Sequence, residues 1–470
     1  MKYQLLIGGE LVDGDRTLDV IDPATAQVFE RCACASERDL DRAIEAAHAA
    51  FPAWASTSLE ARQQVLLKMA DAMDARGAEV QRLLTQEQGK PLGDSAMEVG
   101  GVSYLLRHYA SLDIPVRVIE DSETRRVELH RKPLGVVAAI VPWNYPVFMA
   151  AMKFAAALLA GNTVVLKPAP TTPLSSLLMG MIFKDVVPAG VFNVIVDRND
   201  LGARLTSHPL VRKVSFTGST GTGMKVMASA APTLKRLTLE LGGNDAGIVL
   251  DDCDPRLVAQ RVFDAAFANN GQLCVALKRL YVHESLYDAV CDELVRIAGA
   301  AKVGPGLEAD TRLGPVQNRD QYEKVLALIE ETRGVGKIIA GGDRPAGAGY
   351  FINPTIVRDI REGARLVDEE QFGPVVPVIR YSDLDEVIER ANATGFGLGN
   401  SVWSSNPERA AAVAARLESG TVWINQHGDT GPTIPFAGAK LSGMGAEYAE
   451  EGLAELTQIK VVNRAKQAAI

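Results

Sequence analysis

Residues 213–231 read KVSFTGSTGTGMKVMASAA, and this stretch decides the fold. Lys213–Thr217 has the composition of a strand, and Gly221–Ala231 has the periodicity of a helix. The glycine-rich turn between them sets backbone N–H groups at a helix start, where they can hold a pyrophosphate. The turn does not match the G-x-G-x-x-G pattern of many dinucleotide-binding folds, so alone it is weak evidence for a cofactor.

Strand-like and helix-like segments alternate on both sides of this stretch, which is typical of an α/β architecture with parallel sheets. Helices are predicted at Glu37–Phe51, Leu59–Arg76, Met97–Leu112, residues 147–160 and Ala446–Leu456. Strands are predicted at Arg125–His130, Val136–Val141, Thr163–Leu166, Val191–Ile195, Arg236–Leu239, Ala246–Leu250, Leu280–Val282, Lys337–Ala340, Val375–Tyr381, Thr421–Ile424 and Thr457–Asn463. No repeat or low-complexity segment separates them, so we expect domains that interlock.

Length, charge and cysteine content narrow the class of protein. A chain of 470 residues exceeds what one hydrophobic core usually supports, so two or three domains are expected. The formal charge of −9 argues against a nucleic-acid surface, which needs a basic face. Five scattered cysteines favour a reduced, cytoplasmic setting over a disulfide framework. Cys32 and Cys34 have no further ligand at suitable spacing, so no metal site is predicted.

Neither a targeting segment nor a membrane span is predicted. The first residues predict a strand, a Gly-Gly turn and a second strand, which does not fit a secretory signal. Val147–Ala160 is apolar but contains Lys153, and Pro146 and Gly161 bracket it. Its 14 residues fall short of the roughly 20 that a bilayer requires. We therefore interpret it as a buried helix.

Cys274 is the first candidate for chemistry. Most unpaired cysteines are small buried hydrophobic residues. Here the preceding residues, Asn269-Asn270-Gly271-Gln272, suit an exposed turn that approaches a site. A thiolate adds to an aldehyde to give a hemithioacetal, from which a hydride can leave.

Three further residues at predicted strand ends carry polar groups. Glu240 is followed by Gly242-Gly243, and burial would raise its pKa as a general base for water requires, although a salt-bridged strand end fits as well. Asn144 can donate a hydrogen bond to an oxyanion, although turns favour asparagine for conformational reasons too. Lys167 can meet ribose hydroxyls or be an ordinary surface lysine.

Together, in this order and spacing, these motifs resemble those of the aldehyde dehydrogenase superfamily over nearly the whole chain. The motifs are Gly8-Gly9-Glu10, Glu87–Pro91, Pro142–Pro146, Lys167-Pro168, Phe216–Gly223, Leu239–Asn244, Gly271–Cys274, Glu370–Pro374 and Ser442-Gly443. Glu240 and Cys274 lie 34 residues apart, as in the hydrolytic members of that family.

The resemblance implies a role for each residue of the site. Cys274 is the implied nucleophile, Glu240 the implied base for the deacylating water, and Asn144 with the backbone N–H of Cys274 the implied oxyanion hole. The implied contacts of NAD or NADP are Trp143, Lys167, Gly218, Ser219, Gly223, Leu241, Glu370 and Phe372. The implied substrate tunnel consists of Tyr145, Met149, Met152, Leu273, Val275 and Phe436, an apolar wall without an obvious cation. Glu447 matches a second acidic position near the water path.

The chain departs from the family pattern at a few positions. Pro170 stands where many members have a glutamate that binds the adenosine ribose and repels the 2′-phosphate of NADP⁺. Arg198 follows a strand and either contacts that phosphate or pairs with Asp197 or Asp200. We therefore expect both cofactors to be used, with NAD⁺ slightly favoured. The sequences Pro435–Gly438 and Gly445–Glu447 also differ from the common pattern, near the substrate mouth and the subunit contacts.

The implied fold has a Rossmann-type cofactor domain (residues 1–111 and 134–242) and an α/β catalytic domain (residues 243–441). A β-flap (residues 112–133) and the C-terminal strand (residues 457–465) would reach onto a partner subunit of a homodimer or homotetramer. The expected reaction is NAD(P)⁺-dependent oxidation of a small-molecule aldehyde to a carboxylic acid through a cysteine thiohemiacetal and thioester, which water hydrolyses.

Two alternatives stay open. A coenzyme-A-acylating enzyme would resolve the thioester with a thiol, and it would not need Glu240. A non-catalytic relative would not need Cys274, Glu240 and Asn144 together.

Overall fold

A computed structural model describes residues 2–466 and confirms the mixed α/β architecture. The strands, in chain order, are β1 (Leu5–Ile7), β2 (Glu10–Val12), β3 (Arg16–Asp22), β4 (Gln27–Cys34), β5 (Arg117–Asp121), β6 (Arg125–Pro133), β7 (Val136–Ile140), β8 (Thr163–Lys167), β9 (Phe192–Val194), β10 (Val211–Thr217), β11 (Arg236–Glu240), β12 (Asp245–Val249), β13 (Leu277–His283), β14 (Lys337–Ala340), β15 (Thr355–Arg358), β16 (Val375–Tyr381), β17 (Phe396–Gly397), β18 (Gly399–Trp403), β19 (Thr421–Ile424), β20 (Ala439–Lys440), β21 (Gly443–Met444) and β22 (Thr457–Ala465). The helices are α1 (Glu37–Ser56), α2 (Leu59–Ala75), α3 (Gly77–Gln88), α4 (Leu92–Ala110), α5 (Pro146–Leu159), α6 (Leu174–Phe183), α7 (Gly202–Ser207), α8 (Thr220–Ala230), α9 (Pro255–Phe267), α10 (Tyr287–Ala300), α11 (Arg319–Thr332), α12 (Arg365–Asp368), α13 (Leu384–Asn392), α14 (Pro407–Ala414) and α15 (Ala449–Glu455).

The first sheet has the strand order β2-β1-β9-β8-β7-β10-β11-β21. Strands β9, β8, β7, β10 and β11 are parallel, and antiparallel strands close both sides. Along the chain, β7, β8 and β9 are added successively toward one edge of the sheet. Strands β10 and β11 are then added toward the other edge, so the strand order reverses between β7 and β10. Open parallel sheets bind ligands at the carboxyl ends of the strands at such a reversal. The loops that follow β7 and β10 at this reversal begin at Val141 and Gly218.

The second sheet has the order β14-β15-β16-β13-β12-β18-β19, in which β14 alone is antiparallel to its neighbour. Residues 241–244 are the whole connection from β11 of the first sheet to β12 of the second. The carboxyl end of the first sheet therefore meets the amino end of the second. Cys274 lies three residues before β13, the neighbour of β12, so the same junction holds both Glu240 and Cys274.

A three-stranded antiparallel sheet, β22-β6-β5, stands apart from both. Strand β22 pairs with β6 along its whole length, from Thr457 opposite Pro133 to Ala465 opposite Arg125. All residues of β22 after Thr457 are exposed. The predicted flap and C-terminal strand thus form one sheet, whereas its contact with a partner subunit stays a prediction.

Helix α5 confirms the interpretation of the apolar stretch as a buried helix. Twelve of its residues are buried, among them Lys153, which is 1% exposed. Within residues 2–466, no helix combines the length and the apolarity that crossing a membrane would require.

Several predicted boundaries are wrong. Helix α3 and the hairpin of β3 and β4 were not predicted, and α4 begins at Leu92 instead of Met97. The last helix begins at Ala449 instead of Ala446, because Glu447 forms a β-bridge with Phe436 and Tyr448 has a left-handed φ of 64°. These features depend on distant partners that local periodicity does not report.

Candidate active site

Glu240 ends β11 with its carboxyl group inside the protein. The residue is 3% exposed, and within residues 2–466 neither carboxyl oxygen has a hydrogen-bond partner. Burial and the negative charge of Glu447 raise its pKa well above the ordinary value, against the opposing charge of Lys153. The alternative of a salt-bridged strand end therefore does not describe this glutamate within the described chain. A raised pKa makes this carboxylate a stronger proton acceptor, as a general base requires.

The loop before Cys274 is a buried turn, so the expectation of an exposed turn was wrong. Asn269, Asn270 and Gly271 have φ values of 47°, 57° and 73°, a left-handed run that asparagine and glycine tolerate. A Cβ atom on Gly271 would lie 2.2 Å from the carbonyl oxygen of Gly373. The Gln272 side chain donates to the Asn269 carbonyl at 2.9 Å and accepts from the backbone N–H of Gln317 at 2.8 Å. The polar residues upstream of the cysteine thus hold the shape of its loop.

The Cys274 thiol is protonated in this environment. Burial raises its pKa far above the ordinary value, and the carboxylates of Glu240, Asp245 and Glu370 add to the rise. A thiol in this state needs a base before it can attack a carbonyl. Glu240 lines the same cavity as Cys274 and is the candidate for that base.

Asn144 follows β7 and is tied to the nucleophile loop. Its side-chain amide donates to the backbone carbonyl of Gln272 at 3.0 Å. Its backbone carbonyl accepts from the Asn269 side chain at 3.1 Å and from the Lys90 ammonium at 2.8 Å. An amide nitrogen carries two N–H groups, so the second is available to an oxyanion beside Cys274. The structure therefore brings Asn144, Glu240 and Cys274 to one place.

A cleft of about 170 Å³ lies at the reversal point of the first sheet and reaches Cys274. Six predicted cofactor contacts line it, namely Trp143, Gly218, Ser219, Leu241, Glu370 and Phe372. Ser219 caps the N-terminus of α8, and a Cβ atom on Gly242 would lie 2.6 Å from the Glu370 carboxylate. A helix start beside a glycine that lets the Glu370 carboxylate approach the backbone fits a dinucleotide.

Two predicted cofactor contacts lie outside this cleft. Gly223 lies inside α8, where a Cβ atom would come within 2.5 Å of the Leu241 side chain. The ammonium of Lys167, at the carboxyl end of β8, forms a buried ion pair with Asp197 at 2.7 Å, so the interpretation of Lys167 as a surface lysine is wrong. Arg198 pairs with neither predicted aspartate through its guanidinium, which donates to the Thr17 carbonyl at 2.7 Å.

A second cavity of about 350 Å³ meets the cleft at Cys274. All six residues predicted for the substrate tunnel line it, namely Tyr145, Met149, Met152, Leu273, Val275 and Phe436. Sequence reasoning missed Phe148 and Tyr448, and the acidic pair Asp94 and Glu98 on α4. The first two adjoin motif residues and could have been found there, whereas α4 carries no motif that points to the site.

A buried polar network lies behind Glu240. The ammonium of Lys153 donates to the Glu447 carboxylate at 2.8 Å and to the Ser215 hydroxyl at 3.0 Å. Ser215 donates to the same carboxylate oxygen at 3.0 Å. The second acidic position of the sequence is therefore a compensated carboxylate whose charge acts on Glu240.

His427 is a further residue that the sequence analysis missed. Its Nε2 lies 2.8 Å from the carbonyl oxygen of Val275, the residue after the nucleophile, and its Nδ1 lies 2.9 Å from the Ser401 hydroxyl. Burial lowers its pKa to about 4, so the ring is neutral and Nε2–H donates to the carbonyl. His427 thereby fixes the far side of the nucleophile loop.

Comparison with known proteins gives one consistent result. The model of the aldehyde dehydrogenase family matches residues 11–462. The chain is 39% identical to phenylacetaldehyde dehydrogenase of Pseudomonas fluorescens over 97% of its own length and 95% of that protein's. It is 42% identical to a probable aldehyde dehydrogenase of a Pseudomonas species, over 98% and 94% of the two chains.

Solved structures agree with the sequence comparison. The NAD⁺ complex of aldehyde dehydrogenase from Bacillus cereus superimposes with a TM-score of 0.97 at 36% identity, over 99% of this chain and 97% of that one. A point mutant of betaine aldehyde dehydrogenase from Staphylococcus aureus, in complex with NAD⁺, gives a TM-score of 0.96 at 31% identity, over 100% and 99%.

Proposed function

The chain belongs to the aldehyde dehydrogenase family and is an NAD(P)⁺-dependent oxidoreductase of aldehydes, and on that premise we propose that it forms a thioester on Cys274 which Glu240 hydrolyses with water. One observation carries the proposal. Cys274 lies in the wall of both cavities, and Glu240 lies in the wall of the apolar one. A nucleophile that borders both cavities can hold an aldehyde bound in the apolar cavity next to a cofactor bound in the cleft.

The cleft residues would hold the cofactor. Ser219 and the first amides of α8 suit the pyrophosphate, and Glu370 suits a ribose. Trp143 and Phe372 pack edge to face, with ring centroids 5.2 Å apart, and narrow the cleft beside Cys274. Bound there, NAD⁺ or NADP⁺ supplies the hydride acceptor.

Acylation begins with the Cys274 proton. Because the thiol is buried and protonated, it passes its proton to Glu240 as the sulfur adds to the aldehyde carbon. The developing oxyanion of the thiohemiacetal accepts hydrogen bonds from the Asn144 amide and from the backbone N–H of Cys274. Loss of hydride from that carbon leaves a thioester on Cys274.

Deacylation returns the enzyme to its starting state. After Glu240 has released to solvent the proton that it took from Cys274, it takes a proton from water, and the resulting hydroxide attacks the thioester carbon. The Cys274 sulfur leaves and recovers a proton, and the carboxylic acid departs. Lys153 and Glu447 hold charges behind Glu240 that set its proton affinity. A coenzyme-A-acylating enzyme would not need the second of these two roles, the activation of water by Glu240, which favours hydrolysis.

The domain boundaries and the assembly are also proposals. We propose a cofactor domain (1–111 and 134–242) around the first sheet, a catalytic domain (243–441) around the second, and a flap (112–133 and 457–465) for a homodimer or homotetramer. The separate three-stranded sheet supports the flap. Cytoplasmic location stays a prediction from cysteine content.

Kinetics with and without coenzyme A test the reaction. We expect NADH formation from neutral aldehydes with the free carboxylic acid as product, unchanged by coenzyme A. The Cys274→Ala variant should retain its fold by circular dichroism and bind NAD⁺, yet form no NADH. An acyl-coenzyme-A product would contradict the role of Glu240, and turnover by Cys274→Ala would contradict the nucleophile.

A further inference from the structure

The tunnel that leads to Cys274 has an apolar wall of generous size. Tyr145, Phe148, Met149 and Met152 form one side of it, and its volume is about 350 Å³. For comparison, an engineered apolar cavity of about 150 Å³ in another protein binds benzene. The tunnel therefore has room for a phenyl ring on a short chain or for an alkyl chain of several carbons.

The charged groups of this wall are all acidic. Among residues 2–466 the wall contains Asp94, Glu98 and Glu240 and no Lys, Arg or His. Glu98 is fully compensated, because one oxygen accepts from the backbone N–H of Val147 at 3.1 Å and the other binds the Lys90 ammonium at 2.5 Å. Lys90 thus has no free charge to offer the substrate.

Asp94 is different, because it has no direct hydrogen-bond or ion-pair partner among residues 2–466. It lies in the first turn of α4, is half-buried, and makes no hydrogen bond or ion pair through its side chain to residues 2–466. Met97, one turn further along, is 71% exposed, which places this part of the wall at the outer mouth. Burial raises the pKa of Asp94, and the positive charges of Lys90 and Arg312 oppose this rise.

We propose that the enzyme takes aldehydes with an uncharged apolar tail, arylalkyl or medium-chain alkyl, and that Asp94 excludes tails that end in a carboxylate. Such a tail would give up its hydration beside an unpaired aspartate, in a wall without a basic partner. An apolar tail loses no charge hydration on entering the tunnel, and the burial of its surface stabilises the complex. This inference rests on the proposed function and specifies its substrate class.

Matched aldehydes test the substrate class. Octanal, 3-phenylpropanal and 8-oxooctanoate should be compared by kcat/KM for NADH formation with the purified enzyme. We expect 8-oxooctanoate to be poorer than octanal by about 100-fold, since its carboxylate finds no partner. Comparable values for these two would overturn the substrate class. If no aldehyde gives NADH, the proposed function itself fails.

An isosteric variant tests the role of Asp94. The Asp94→Asn variant should raise the ratio of kcat/KM for 8-oxooctanoate over octanal by roughly fivefold, because one repulsive charge is removed. Asp292→Asn makes the same charge change at an exposed position of α10 outside the tunnel, and its ratio should stay at the wild-type value.

Salt gives a second measurement that needs no variant. Added NaCl screens Asp94, so the wild-type ratio should rise between about 0.02 M and about 0.5 M ionic strength. A ratio that neither the Asp94→Asn change nor salt alters would overturn the assignment of Asp94.

Discussion

At the scale of single residues, the chemistry depends on two buried acids whose pKa values are both raised. The pKa values of the Cys274 thiol and the Glu240 carboxyl group are raised chiefly by burial, and each charged form would repel the other. The raised pKa of Glu240 therefore makes it a stronger acceptor for the thiol proton than an ordinary carboxylate would be. The roles still differ, because only sulfur bonds to carbon.

Replacing Glu240 by Gln should separate acylation from deacylation. The amide keeps the shape but cannot accept a proton, so thioester hydrolysis should fall by roughly 10²–10⁴-fold. Stopped-flow measurement should still show a burst of NADH of up to about one equivalent, provided that water or hydroxide takes the thiol proton at higher pH. Wild-type steady-state turnover in Glu240→Gln would show that another group activates the water.

Replacing Glu447 by Gln should shift the pH profile. The Glu447 charge raises the pKa of Glu240 and the Lys153 charge lowers it, so removing the first leaves the second unopposed. The pKa of Glu240 should fall, and the limb of kcat that rises with pH should move to lower pH. Glu455→Gln, which removes a partner of Lys213 and is not among the charges that shift the pKa of Glu240, is the matched control. A limb that stays in place, or moves to higher pH, would contradict this coupling.

Cofactor choice should depend on Asp197. This carboxylate neutralises Lys167 at the carboxyl edge of the first sheet. It is thus an acidic group near the cofactor cleft in a chain that has Pro170 in place of the glutamate of many family members. Asp197→Asn should strengthen binding of NADP⁺ relative to NAD⁺ by about tenfold, because Lys167 regains a free charge for the 2′-phosphate. Isothermal titration with each cofactor measures the ratio. Arg198→Ala should not change it, since that guanidinium binds the Thr17 carbonyl, and an unchanged ratio in Asp197→Asn would refute the idea.

At the scale of elements, the nucleophile loop is held by close backbone approach. Gly271→Ala would force a Cβ into a left-handed residue and against the Gly373 carbonyl, 2.2 Å away. Since a displacement of about 1 Å can cost about 100-fold in rate, activity should fall at least that far and the melting temperature should drop. Gly299→Ala, in α10 with no atom within 4 Å of the new Cβ, should instead stabilise by about 0.5–1 kcal/mol. Full activity in Gly271→Ala would mean that the loop adapts.

At the scale of the whole molecule, the three-stranded sheet exposes apolar side chains that a monomer would leave in water. Ile459 and Val461 are 60% and 54% exposed, and Ile119 of β5 is 52% exposed. Patches of this kind mark interfaces. Val461→Glu should therefore move the protein toward monomer in sedimentation velocity, whereas Lys460→Glu, on the opposite face of β22, should do so less. A monomeric wild-type protein would contradict the proposed assembly.

The sequence by itself determined many of the elements and the family. The predicted strands Lys337–Ala340, Val375–Tyr381 and Thr421–Ile424 agree with the structure residue for residue, because side-chain pattern and composition are local properties. The family and its fold were likewise readable from short motifs at fixed spacing.

Only the tertiary structure decided how these pieces act on one another. It buried the turn before Cys274, directed Arg198 to Thr17, and paired Lys167 with Asp197. It also brought Asp94 of α4 into the wall of the same tunnel as Phe436. Burial, ion pairing and the resulting pKa values depend on groups that are far apart in the chain, and no local pattern encodes that proximity.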